Sequence, residues 1–195
     1  MVFSKIQFPE NLEIVFIDWK IPELNESLKD YAIRMAEVID KSQPFSLLGY
    51  SFGGILVQEM AAFLNPFRVI IISSVKTNLE FPRRMKVAKT TKAYKLIPTS
   101  LILNVENLAK FSFGEKIKSR LKLYEKFLSV RDITYLDWAI EQVILWERTE
   151  VDAKVIHVHG DEDDVFPIKY ISNAIVVPGG NHAMILFRFR WLNEY

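Results

Sequence analysis

The strongest constraint on this chain is a set of short Val/Ile-rich runs with little polar alternation. Phe67 to Val75 (FRVIIISSV), Lys154 to His159 (KVIHVH) and Asn173 to Val177 (NAIVV) are of this kind, with Leu12 to Trp19 (LEIVFIDW) and Phe45 to Leu48 (FSLL) read as further strands. A strand with one wet face alternates apolar and polar residues. Uninterrupted apolar runs belong to strands buried on both faces, as in a parallel sheet covered by helices. Helical patterns lie between them. Glu26 to Lys41 places Leu28, Tyr31, Met35 and Val38 or Ile39 at helical spacing. Phe52 to Leu64 (FGGILVQEMAAFL) is apolar nearly all round, as a buried helix is. This β-α-β-α order predicts the α/β class, with a mostly parallel sheet and helices on both faces.

Residues 76–150 break the rhythm and read as a helical insertion between two strands, dividing the chain into a core of 1–75 and 151–195 and a cap of 76–150. Ile117, Leu121, Tyr124 and Leu128 form one helical stripe, and Asp132 is placed to cap a second helix carrying Leu136, Val143 and Trp146. Lys76 to Arg131 holds 14 Lys/Arg against 4 Glu. That excess suits the outer face of amphipathic helices, and it is also able to steer an anionic substrate. Overall charge is only +1, which gives no reason to expect a nucleic-acid partner. The chain has no cysteine, so disulfides, thiolate metal sites and cysteine nucleophiles are excluded. Met1 to Pro9 lacks a signal-peptide core, and no run approaches the roughly 20 apolar residues of a membrane span. A cytoplasmic location without stable membrane insertion is expected.

Gly49-Tyr50-Ser51-Phe52-Gly53 matches Gly-x-Ser-x-Gly. A chance match somewhere in a chain of this size arises roughly one time in twenty. The context sharpens the signal: a buried strand precedes the serine and an apolar helix follows. In such a turn the serine sits on strained backbone above the carboxyl edge of the sheet, and small residues two before and two after avoid a collision. The helix then aims its N-terminus at the site, and the Phe52 N–H is the expected first oxyanion donor. A further Gly54 permits close helix packing.

A serine nucleophile needs a base able to take its proton near neutral pH, and the histidines are His157, His159 and His182. The first two lie inside an apolar run, on one face, where packing is the ordinary role. His182 follows Pro178-Gly179-Gly180-Asn181 directly after a strand, which puts it on the edge that carries Ser51. The loop from Gly160 to Pro167 supplies four acids, Asp161, Glu162, Asp163 and Asp164, any of which could orient the base.

Together these residues resemble the α/β-hydrolase superfamily, whose chain order is nucleophile, acid, histidine. The family's acid loop often reads Gly-x-x-Asp with a proline four residues later. Gly160, Asp163 and Pro167 match it, and the resemblance therefore selects Asp163. GYSFGG (Gly49 to Gly54) and GGNH (Gly179 to His182) are similar to the serine and histidine loops of small esterase- and thioesterase-like members. The resemblance implies a catalytic triad of Ser51, Asp163 and His182, hydrolysis of a small acyl ester or thioester, and no metal or organic cofactor.

One departure stands out. In the superfamily a strand with its oxyanion loop precedes the one read at Leu12 to Trp19, and lies between it and Phe45 to Leu48. Nothing before Leu12 matches. A start further upstream is the favoured explanation; direct pairing of the flanking strands, or another chain filling the gap in an oligomer, would also answer it. A single oxyanion donor lowers turnover by about 100- to 1000-fold, so a catalytically impaired binding protein is one rival. A metal hydrolase using His157, His159 and Asp161, with His182 as a further imidazole, is the other.

Overall fold

The computed structural model describes residues 2–96 and 132–194. The Ile117–Leu128 stripe therefore lies outside the described residues. Four parallel strands run in the order β1 (Leu47–Tyr50), β2 (Val69–Ile72), β3 (Val155–Gly160) and β4 (Ile175–Val177). Leu47 stands beside Val69, Val69 beside Val155, and Val158 beside Ile175.

Strand alternation sends side chains into two separate cores. Leu47, Val69, Ile71 and Val155 face one, built with helices α1 (Leu28–Met35), α2 (Phe52–Leu64) and α4 (Ile133–Leu145). Leu48, Tyr50, Ile70, Ile72 and Val158 face the other, beneath the short helices α5 (Met184–Phe187) and α6 (Phe189–Glu194). Both faces of the sheet are thus covered, as the apolar runs predict. Each fully buried Ile, such as Ile55 or Ile71, contributes about 1.5–3 kcal/mol by leaving water.

The helices begin where their caps allow. Ser27 Oγ accepts from the Asp30 amide at 3.1 Å and donates to Asp30 Oδ2 at 2.6 Å, starting α1. Asp132 Oδ1 accepts from the Tyr135 amide at 2.9 Å and starts α4, as expected. Leu136 and Trp146 are buried and Val143 is half-buried against the first core. Helix α4 docks on α1: the Tyr31 and Trp138 rings lie 4.4 Å apart, and Trp138 Nε1 donates to the Glu26 carbonyl at 2.8 Å. Between β2 and α4 lies α3 (Arg83–Thr91). No helix among the described residues is long and apolar enough to cross a membrane.

Leu12 to Trp19 corrects the sequence reading. It forms no strand and pairs with nothing in the sheet. Leu12, Ile14, Val15 and Phe16 are exposed, whereas Ile17 and Trp19 pack on the first core. Direct pairing of this run with β1 is therefore not what the chain does. Without a ladder of hydrogen bonds on either side, β-propensity alone does not make a strand. The run is tethered at its end instead. Tyr31 Oη donates to the Lys20 carbonyl at 2.7 Å and accepts from its amide at 3.2 Å. Burial pushes the Tyr31 hydroxyl up to about 12, so it stays protonated for both bonds.

Candidate active site

Ser51 follows β1 immediately and precedes α2. Its backbone has φ 53° and ψ −119°, a conformation that costs a residue with a Cβ about 1–3 kcal/mol. Three bonds hold it there. The Ser51 amide donates to the Ile72 carbonyl at 2.9 Å, and the Ser51 carbonyl accepts from the Gly54 amide at 2.9 Å and from Ser74 Oγ at 2.8 Å.

The glycines around the serine differ in what they do. A Cβ on Gly49 would sit 2.1 Å from the Gly53 carbonyl oxygen, so Gly49 is required by the turn. A Cβ on Gly53 would meet only the Trp19 ring at 3.8 Å, an ordinary contact. The expectation that both flanking positions must be small thus holds for Gly49 and not for Gly53. A Cβ on Gly54 would lie 2.5 Å from Ser74, so here the helix does pack tightly on the sheet.

Ser51 Oγ stands 2.9 Å from His182 Nε2, and His182 Nδ1 stands 2.9 Å from Asp163 Oδ2. With Nδ1–H donating to the carboxylate, Nε2 is the nitrogen that accepts from the serine hydroxyl. His182 and Asp163 are buried, at 6% and 3% exposure, while Asp161, Glu162 and Asp164 are exposed. Burial tends to raise the Asp163 carboxyl. The bond from His182, its positive field and the Phe166 amide outweigh this and hold the carboxyl below its usual range. The structure thus brings Ser51, Asp163 and His182 into one hydrogen-bonded row at the carboxyl edge of the sheet. Phe52 is the first residue of α2, and its N–H is among the unpaired donors of a helix start, beside Ser51.

Further contacts complete the site, some with a local signal in the sequence and others without. Asp163 Oδ1 accepts from the Val165 amide at 2.8 Å and the Phe166 amide at 2.9 Å. Aspartate often binds amides two or three residues on, so this much was available as a turn habit. Tyr50 Oη donates to the His182 carbonyl at 2.9 Å, from a variable position of the serine motif. The Phe166 ring stands edge-on to His182 at 5.7 Å. The acid and histidine loops are pressed together, since a Cβ on Gly160 would lie 2.0 Å from the Gly180 oxygen.

His157 and His159 are buried and face one another, with His157 Nε2 3.1 Å from His159 Nδ1. Their nitrogens bond to each other and to the Phe166 carbonyl, and exposed Asp161 stands apart from them. Among the described residues no three His, Asp or Glu side chains are grouped to hold a metal ion. A cavity of about 860 Å³ opens beside Ser51 and runs between β1 and the extended segment, lined by Ile17, Trp19, Leu48, Tyr50, Leu56 and Leu186 among others.

The parallel sheet covered by helices on both faces is shared with known structures. The fold is that of the α/β-hydrolases. A hydrolase from Pseudomonas aeruginosa matches with a TM-score of 0.64 at 15% identity, over 90% of this chain and 72% of that one. A thermophilic esterase from Thermogutta terrifontis matches with a TM-score of 0.60 at 11% identity, over 87% and 70%. A meta-cleavage product hydrolase matches with a TM-score of 0.56 at 16% identity, over 90% and 72%. No family model and no curated protein matches the sequence. The α/β-hydrolase fold hosts many chemistries, so function is argued from the site.

Proposed function

We propose that this protein is a serine hydrolase that cleaves a carboxylic ester or thioester through an acyl-enzyme on Ser51. The observation that carries this is the row Ser51 Oγ–His182 Nε2–His182 Nδ1–Asp163 Oδ2, with 2.9 Å at each step, next to a helix N-terminus. His182 takes the Ser51 proton as Oγ attacks the acyl carbonyl. The buried Asp163 carboxylate holds the imidazole tautomer and stabilises the imidazolium that forms. The Phe52 N–H and the α2 N-terminus meet the oxyanion. His182 then gives its proton to the leaving alcohol or thiol, and a water activated by the same imidazole releases the acid. The apolar cavity beside Ser51 suits the acyl part of such a substrate. No metal or organic cofactor enters this chemistry. A cytoplasmic site of action and a small-molecule acyl substrate belong to the same reading.

Hydrolysis of p-nitrophenyl acyl esters tests it. Ser51→Ala is expected to lower kcat by at least about 1000-fold with the circular dichroism spectrum unchanged. Substantial residual turnover in that variant would count against Ser51. A second reading is a binding protein with little turnover. What favours it is that the Phe52 N–H is the one oxyanion donor assigned among the described residues, beside a cavity on the edge of β1 away from β2, where no described strand pairs. A folded wild-type chain that neither turns over esters nor reacts at Ser51 would support that reading.

A further inference from the structure

We propose that His159 is a positioning residue for Asp163, locking the acid loop in the one conformation that serves His182. The inference rests on the hydrolase reading above. His159 Nε2 lies 2.7 Å from the Phe166 carbonyl, which only accepts, so the proton sits on Nε2. His159 Nδ1 is then an acceptor, and His157 Nε2, 3.1 Å away, must donate to it. The consequence reaches the site through the Asp163–Phe166 turn. With its carbonyl pinned by His159, Phe166 presents its amide, together with that of Val165, to Asp163 Oδ1. One carboxylate oxygen is thus fixed by the loop and the other is left for His182 Nδ1.

The chemistry also requires His159 to remain neutral. Its Nε2 lies 3.6 Å from Asp163 Oδ2, where a second imidazolium would compete with His182 for the carboxylate. Burial keeps both histidines of the pair below their usual range. The pair is an expensive way to fill a core. Both side chains are almost fully buried, so each ring needs hydrogen-bond partners inside the core. An apolar pair of the same volume would need no such partners. The arrangement makes sense as the support of a site rather than as packing.

The test compares His159→Phe, which removes the Nε2 donor, with His159→Gln, whose amide keeps a donor near Phe166. The first readout needs no turnover: the far-downfield proton resonance of a carboxylate-bound imidazole N–H, assigned to His182 by its loss in His182→Ala. It is expected to be present in the wild type, lost or broadened in folded His159→Phe, and retained in His159→Gln. The second is kcat against KM on p-nitrophenyl acetate. His159→Phe is expected to lose about 10- to 100-fold in kcat, the cost typical of removing a residue that orients a functional imidazole. KM should stay within a few-fold and His159→Gln should recover most of the rate. Should His159→Phe not fold, His159→Asn, too short to reach Phe166, carries the same expected loss. A folded variant lacking the donor that keeps both the resonance and kcat would overturn the proposal. If the wild type shows the resonance but no turnover, the hydrolase reading fails while the positioning of Asp163 stands.

Discussion

Ser51 occupies backbone that a residue with a side chain adopts only at a cost, and the residues next to it decide whether that turn closes. Gly49→Ala places a methyl against the Gly53 carbonyl and Gly54→Ala places one against Ser74. Each is expected to lower stability by at least about 1–3 kcal/mol, as overpacking does. Gly53→Ala meets only ordinary contact with Trp19 and is expected to stay within about 1 kcal/mol of the wild type, since an exchange of glycine for alanine inside a helix favours alanine. Urea denaturation of the three variants checks the order; equal losses at Gly49 and Gly53 would contradict the geometry. The residue scale also carries the pH behaviour. Burial first, and then neighbouring His159, push His157 down to about 3 from an ordinary 6.5, and His159 is lowered in the same direction. Below pH 6.5 the unfolded chain takes up protons that the folded core refuses. Stability therefore falls as pH drops from about 6.5 towards 3, by about 1.4 kcal/mol per pH unit for His157, and His159 adds to the loss in the same direction. Above that window the histidines add no pH dependence. Asp163 acts lower down: its folded carboxyl is depressed, so its contribution is complete above the unfolded value of 3.8 and is lost as pH falls through the folded one. A stability that is flat between pH 7 and pH 5 would contradict the burial of neutral His157.

At the scale of elements, legibility followed burial. The runs at Val69–Ile72, Val155–Gly160 and Ile175–Val177 became strands because each has a paired neighbour and helices above or below. Leu12 to Trp19 has comparable β-propensity and became none, because a strand is a property of a pair and its partner position is empty among the described residues. Caps were legible because they are local. Asp132 is read from sequence as an N-cap and binds the Tyr135 amide at 2.9 Å. Asp132→Ala is expected to lower stability by about 1 kcal/mol. A change in melting temperature within error would show that α4 is held by its packing on α1 alone. Side chains that act through the tertiary fold were not legible. Nothing local announces that Tyr50 reaches the His182 carbonyl or that Ser74 braces the Ser51 carbonyl.

Across the whole molecule, Ser51 lies more than 100 positions from Asp163 and His182, and the three meet because three parallel strands end at one edge. The glycine-flanked serine and the position of His182 after a strand were legible in the residues themselves, and the resemblance of Gly160–Pro167 to the α/β-hydrolase acid loop nominated Asp163 among four acids. The distances needed the sheet. The fold alone leaves the chemistry open, so the most direct test asks whether Ser51 is nucleophilic. The folded wild-type chain is incubated with a fluorophosphonate probe and its intact mass and modified peptide are measured, with Ser51→Ala and His182→Ala in parallel. The account predicts one adduct on Ser51, none in Ser51→Ala and strongly slowed labelling in His182→Ala. A folded wild-type chain that stays unmodified, or is modified elsewhere at the same rate in all three proteins, would contradict it.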